Sequence, residues 1–337
     1  MTKQRVAAGH FFSPAEIERK ARLLSRLIGE QTSAARDRML LQLGRKRPHE
    51  VLIEPTNRCN LNCPFCMVGR QNALVAEHGN AAHSLMKRPM GKMSPETFAR
   101  LRNQILDFGV RRAFLYFQGE PFLNVNTPEY AAQLKRDGLY VALFTNGQAF
   151  NDANRAAIVN AGVDLIRFSV DGASEETYQQ NRRGGKLSVA LENMQLLAAA
   201  LRGKPTRIEW QFLALRNNEH EIEKARRMAD EIGVQFFVKG YRETLPELAA
   251  TDERYRARFL PKPCTDIYRH FGVYWNGDVV PCCYDNDASE VMGNLMESDL
   301  KHIWDSGKYR EFRRRVDQVA NHPEAEPELC RGCLRWR

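Results

Sequence analysis

The chain has 337 residues, 43% hydrophobic and 27% charged, enough to bury a large core in one big domain or two smaller ones. Its formal charge of +9 is spread over helical faces (Arg19, Lys20, Arg22 and Arg26, then Arg310, Arg313, Arg314 and Arg315), without an aromatic-interleaved basic patch. This reads as a solvated surface or a site that attracts anions, and leaves nucleic-acid binding a minority reading. No signal-peptide core and no run of roughly 20 apolar residues is present, so a cytoplasmic location with no membrane partner is expected.

In chain order, residues 13–45 read as a polar amphipathic helical region opened by the capping-box pattern Ser13-Pro-Ala-Glu16. The region lacks the strand alternation of a peptide-binding winged-helix module. It is expected to pack outside the main fold, as a helical extension over 1–47. From about residue 50, short apolar runs alternate with helical patterns. Strands are predicted at 51–54, 113–117, 140–144, 165–170, 208–214 and 236–239, with helices near 95–107, 128–136, 152–161, 187–202 and 219–232. Six strands separated by helices imply a parallel α/β sheet, whose ligands bind at the carboxyl ends of the strands. The connection 67–93, rich in Asn, Gly, His and Met, is long enough to be expected as a lid over the active site.

Eight cysteines in such a chain point to metal or catalysis rather than to disulfides. Three of them follow the first strand in the run Glu54-Pro-Thr-Asn-Arg-Cys59-Asn-Leu-Asn-Cys63-Pro-Phe-Cys66. Three thiolates leave one iron of a [4Fe–4S] cluster without a protein ligand, open to a small molecule. Zinc and a disulfide framework are the alternatives, but zinc normally closes with four ligands in pairs. After the second strand comes Gln118-Gly119-Glu120-Pro121, after the third Thr145-Asn146-Gly147, and after the fourth Ser169-Val-Asp171-Gly172-Ala-Ser174 and Asn181-Arg182-Arg183-Gly184-Gly185. Taken singly, each also reads as an ordinary strand-to-turn element.

Together these motifs resemble the radical S-adenosylmethionine (SAM) enzymes, over roughly residues 48–337. The resemblance implies a partial (β/α)6 TIM-like barrel. It also implies that Cys59, Cys63 and Cys66 hold a SAM-binding [4Fe–4S] cluster, whose electron cleaves SAM to a 5′-deoxyadenosyl radical that abstracts hydrogen. SAM contacts fall by the same resemblance on Gln118, Gly119, Glu120, Asn146, Ser169 and Arg182; Gln118 stands where the family has Gly. Gln211 and Asn218 are weaker pocket candidates, explained as well by packing or capping.

Five cysteines remain. Cys264 and Cys282 lie 18 positions apart, and Asn276-Gly277 between apolar runs signals a hairpin that returns one to the other. Cys330 and Cys333 follow in the tail. This segment resembles the C-terminal SPASM/twitch extension of aminocyclitol dehydrogenase and aminoglycoside epimerase type members. That likeness implies a cysteine-rich domain over 241–337, after a radical SAM core over 48–240. It assigns Cys264, Cys282, Cys330 and Cys333 to one auxiliary [4Fe–4S] cluster; zinc is the other reading of four thiolates. Cys283 is left over as a buried small hydrophobe, a hydrogen-atom donor, or a substitute for Cys282.

The expected function is oxidation or epimerisation of a small polar natural-product intermediate, a sugar or aminocyclitol, with flavodoxin or ferredoxin as external electron donor. The alternative is a peptide-modifying maturase. A third reading is a non-catalytic iron–sulfur or zinc protein that has kept the fold. Lys239, Tyr241 and Arg242, after the sixth strand, are positioned to face substrate, one of them as proton acceptor. A lysine in that role needs a lowered pKa.

Overall fold

The computed structural model describes residues 47–79, 85–241, 245–257, 264, 266–319, 321–331 and 333. The helical region expected over 13–45 lies outside the described residues. Apolar side chains alternate along each strand, and one parity is fully buried: Val51 and Ile53, Ala113 and Leu115, Val141 and Leu143, Ile166 and Phe168, Trp210 and Phe212. That face is covered by helices. The other parity, Phe114, Tyr116, Phe144 and Arg167, is only half-buried and lines the inside of the curved sheet.

Six parallel strands follow the predicted order: β1 (Glu50–Ile53), β2 (Arg112–Leu115), β3 (Tyr140–Thr145), β4 (Leu165–Ser169), β5 (Arg207–Ala214) and β6 (Gln235–Gly240). They pair β6-β5-β4-β3-β2-β1, as a partial barrel requires. The crossover helices are α2 (Pro95–Phe108), α3 (Thr127–Arg136), α4 (Asp152–Ala161), α6 (Leu187–Ala200) and α7 (Ile222–Ile232), all at predicted positions. Between α4 and α6 runs a short α5 (Glu175–Asn181), which the periodicity did not reveal. Its signal was Ser174, whose side chain accepts from Thr177 N, with Glu175 and Glu176 in the first turn.

The sheet does not stop at six strands. A seventh parallel strand, β7 (His270–Val273), follows the one-turn helix α8 (Asp266–Arg269) and pairs with β1 in the register Val51↔Phe271 and Ile53↔Val273. The predicted hairpin then returns through Gly277, at φ +91°, into β8 (Asp278–Val280), and β9 (Gly293–Asn294) adds a further antiparallel strand. The cysteine-rich segment thus continues the barrel's own sheet. Its helices α9 (Leu300–Trp304) and α10 (Gly307–Gln318) follow; Trp304 packs edge-on against Phe108 of α2, and Leu300 N donates to the Gln104 side chain at 2.5 Å.

The expected lid over 67–93 is corrected in both of its described parts. Residues Met67–His78 form a helix, α1, capped by Gly79 in the left-handed conformation. Only Val68, Gly69 and Gln71 of it are buried, which is why its composition reads as loop. Residues 85–93 are a strap rather than a lid. Asn57 Nδ2 donates to Pro89 O and Asn57 Oδ1 accepts from Gly91 N, at 2.9 and 2.7 Å. Thr56 Oγ1 donates to Gly91 O, and Met93 N to Pro55 O.

Within the strap, Arg88 makes a bidentate pair with Glu54 at 2.7 and 2.5 Å, and its guanidinium lies 3.7 Å from the Tyr274 ring centroid. Glu54 is fully buried, and burial raises its pKa against the pull of Arg88. Removing one partner of such a pair strands the other charge, at a cost of about 3–5 kcal/mol. Arg88→Met is therefore expected to lower the unfolding free energy of the whole chain by that amount in anaerobic urea titration. A change below about 1 kcal/mol would show the pair to be dispensable.

Candidate functional site

The three-cysteine loop leaves the carboxyl end of β1 and is held from behind by the helix it leads into. Asn72 of α1 donates to Cys59 O and Leu61 O at 2.9 and 3.0 Å. Cys66 N donates to Cys63 O, and Asn62 N to Arg183 O at 2.8 Å. A Cβ on Gly69 would stand 2.4 Å from Cys63 N, so only glycine lets α1 press this close. Sequence reading missed Asn72 and Gly69 because neither sits at a strand end.

Two thiols face side-chain donors. Asn146 Nδ2 lies 3.8 Å from Cys59 Sγ, and Arg182 Nη1 lies 3.9 Å from Cys63 Sγ. Burial pushes the Cys59 thiol up to about 12, with Glu120 adding, and the Cys63 thiol up to about 11 against the pull of Arg182. Becoming thiolates there requires more positive charge than the protein itself supplies. Among the described residues no three His, Cys, Asp or Glu side chains form a metal-holding group, so the fit rests on the donor set. Three soft donors on one short loop, two of them met by N–H groups, suit an iron–sulfur cluster.

The strand-end motifs converge on this loop. Gly119 has φ +77°, and a Cβ there would lie 2.5 Å from Thr56 O and 2.6 Å from Arg58 O. Gln118 reaches across to Asn286 Oδ1 at 2.6 Å. The Glu120 carboxylate, almost fully buried, accepts from Thr145 Oγ1 (2.8 Å) and Asn146 N (2.7 Å), and burial pushes its pKa up to about 7. It therefore ties the ends of β2 and β3 together. Asn146 also donates to Asn60 Oδ1 at 2.8 Å. At the end of β4, Ser169 is half-buried beside Gln211 in register, while Asp171 pairs with Arg182 Nε at 2.6 Å and accepts from Leu213 N at 2.7 Å. Asn218 is fully buried, bonding Asp171 O, Leu213 O and Leu215 N, a capping role.

Of the three residues expected to face substrate, the structure brings Lys239 to the barrel interior. Solvent reaches it there, with Arg167, Asp171, Arg182 and Cys283 in electrostatic range. Burial, reinforced by Arg167 and Arg182, lowers its pKa, and Cys283 and Asp171 oppose this. Tyr241 instead packs with Leu213, Leu215 and Ala249 against Phe65 of the cysteine loop. Arg242 lies outside the described residues.

Cys283 enters the same interior from the wall beside β7. It is hydrogen-bonded to Cys282 and His270, and these bonds hold its thiol well below the usual range while raising Cys282. His270 Nε2 is buried with no partner among the described residues. The hairpin brings Cys282 within electrostatic range of Cys264, as its length implied. Cys330 and Cys333 close a single turn, Cys333 N donating to Cys330 O at 2.8 Å. Helix α10 relates the two regions: Tyr309 lies in range of Cys282, and Arg315 donates to the carbonyls of Ala325 and Glu326 ahead of Cys330.

A curved parallel sheet with a three-thiol loop after its first strand and a cysteine-rich extension on its sheet edge defines a class. The radical SAM superfamily model matches residues 53–229, and the iron–sulfur cluster-binding domain called SPASM matches residues 264–334. The chain belongs to the radical SAM superfamily and carries a SPASM domain. With that family come a [4Fe–4S] cluster, SAM and auxiliary iron–sulfur ligation.

Among characterised relatives, the PqqA peptide cyclase of Xanthomonas euvesicatoria pv. vesicatoria is 27% identical, the match spanning 85% of this chain and 80% of that one. The PqqA peptide cyclase of Gluconobacter oxydans is 24% identical over 86% and 83%. Streptococcus suis SuiB bound to S-adenosylmethionine superposes with a TM-score of 0.64 at 16% identity, over 89% of this chain and 78% of that one. At that identity the likeness shows the fold alone.

Because Gly119 admits no Cβ against the backbone of the cysteine loop, Gly119→Ala is expected to displace that loop. After anaerobic reconstitution the variant should bind markedly less iron than wild type while its far-ultraviolet circular dichroism is retained. Unchanged iron would show that the loop tolerates the displacement.

Proposed function

We propose that this chain is a radical SAM maturase that acts on a peptide. The observation that carries this reading is the match to PqqA peptide cyclases along some four-fifths of both chains, which spans the core and the cysteine-rich extension together. It supports the alternative drawn from the sequence over the sugar or aminocyclitol substrate expected first. SuiB has also been solved with its precursor peptide SuiA, on the same fold.

In this reading Cys59, Cys63 and Cys66 hold the open-iron cluster, and Cys264, Cys282, Cys330 and Cys333 hold one auxiliary cluster. The cluster and SAM, when bound, supply one-electron cleavage of the sulfonium and hydrogen-atom abstraction. The chain's own residues do the rest. Asn146 and Arg182 donate toward the ligand sulfurs, which lowers the charge those sulfurs expose to the interior. Arg182 keeps an N–H edge beyond its Asp171 pair, suited to a carboxylate. Gly119 and Glu120 fix the β2–β3 edge that would hold SAM, and Ser169 adds a hydroxyl at the end of β4. The aromatic wall of Phe114, Tyr116 and Phe144 limits water where a radical must be protected.

Two measurements test this. Iron per chain after reconstitution is expected to be about eight, falling to about four in a Cys59/Cys63/Cys66→Ala variant. With SAM and a reductant, short peptides encoded beside the gene are expected to stimulate 5′-deoxyadenosine release and to lose hydrogen by mass spectrometry. Stimulation by sugars or aminocyclitols and by none of those peptides would return the first reading to the front.

A further inference from the structure

The charges on the barrel's inner wall are nearly all spoken for. Glu50 pairs with Arg112 at 2.7 Å, Glu54 with Arg88 at 2.5 Å, Glu209 with Arg167 at 2.6 Å, and Asp171 with Arg182 at 2.6 Å. Lys239 is different: it makes no hydrogen bond or ion pair with any other described residue. It shares one face of β6 with Phe237. Phe237 is 44% exposed, although it is large and apolar. Arg167 lies 5.1 Å from its ring and 4.6 Å from that of Phe144, on which Tyr116 stacks at 4.2 Å. An aromatic wall thus rises to one ammonium, with Cys283 in electrostatic range.

We propose that Lys239 is the anion-receiving residue of the substrate site and takes a carboxylate of the substrate. On the peptide reading, on which this assignment of source rests, the carboxylate is that of an acidic side chain. Two physical points favour it. The acidic groups named above are each paired, so among the described residues Lys239 is left with an ammonium that no carboxylate binds directly. Arg167 and Arg182 lie in electrostatic range and repel the ammonium, although Asp171 and Cys283 oppose this in part. A carboxylate arriving there relieves that repulsion and gains a charge-assisted hydrogen bond in a partly desolvated site. Lys239 then selects and orients the substrate, a role distinct from that of proton acceptor. The aromatic wall would hold the neighbouring apolar part of the same substrate.

The test is calorimetry on the full chain, reconstituted and saturated with SAM. The probes are N-acetyl-Gly-Glu-Gly-amide, its Gln counterpart, and glutarate. Wild type is expected to bind the Glu peptide about tenfold or more tightly than the Gln peptide, the usual worth of a hydrogen bond to a charged group. Lys239→Met is expected to erase that preference and Lys239→Arg to keep it, both variants retaining iron and SAM binding. Equal affinities in wild type, a preference that survives in Lys239→Met, or no binding of any probe would overturn the proposal. Binding of glutarate but not of the Glu peptide, dependent on Lys239, would uphold the lysine and remove the peptide reading. Equal, Lys239-independent binding of both peptides would do the reverse.

Discussion

One buried carboxylate holds this site together. Glu54 is the first residue after β1 and five positions before the first cysteine of the loop. It accepts from Arg88 of the strap, from Trp275 N beyond β7, and from the backbone of Gln118 beyond β2. Three strand ends and the strap therefore meet at a single charge that has no access to solvent. Such a group is tolerated only because Arg88 is present in bidentate geometry, itself stacked on Tyr274. Tyr274 in turn donates to Asp285 O, and the backbone N–H groups of Lys87 and Arg88 donate to Asp287. The core and the cysteine-rich extension are thus fastened to each other beside the loop that matters most for chemistry.

From that anchor the electrostatics of the site follow. Burial raises the Cys59 and Cys63 thiols, and the groups beside them are donors, Asn146 and Arg182, rather than bases. This surrounding suits sulfur that a bound metal would make anionic. It does not favour a free nucleophilic Cys63, because burial outweighs the pull of Arg182 on its thiol. Cys283 stands in the opposite situation, its thiol held below the usual range by hydrogen bonds to Cys282 and His270.

Much of the architecture was legible because it is written in local pattern. Each of the six predicted strands carries a run of apolar residues of strand length, and each strand end carries its motif within a few residues. What escaped is non-local or polar. The pairing of β7 with β1 joins residues more than two hundred positions apart, and no periodicity encodes it. Helix α1 buries too few side chains to show an apolar stripe. Arg88 read as part of a polar connection, because its partner Glu54 is specified only by the folded geometry. For the site, residue types at strand ends were readable, but their internal partners were not. The hold of Glu120 on Thr145 and Asn146, and that of Asn72 on the loop carbonyls, appear only when the loops are brought together.

On the proposed reading, the chemistry begins at an open-iron cluster at the carboxyl edge of the sheet. The most direct measurement is the electron paramagnetic resonance spectrum of the reduced, reconstituted chain with and without SAM. The account predicts that SAM perturbs part of the signal, and that this part alone disappears in the Cys59/Cys63/Cys66→Ala variant. A spectrum indifferent to SAM, or a SAM-sensitive signal that survives loss of those three cysteines, would contradict it.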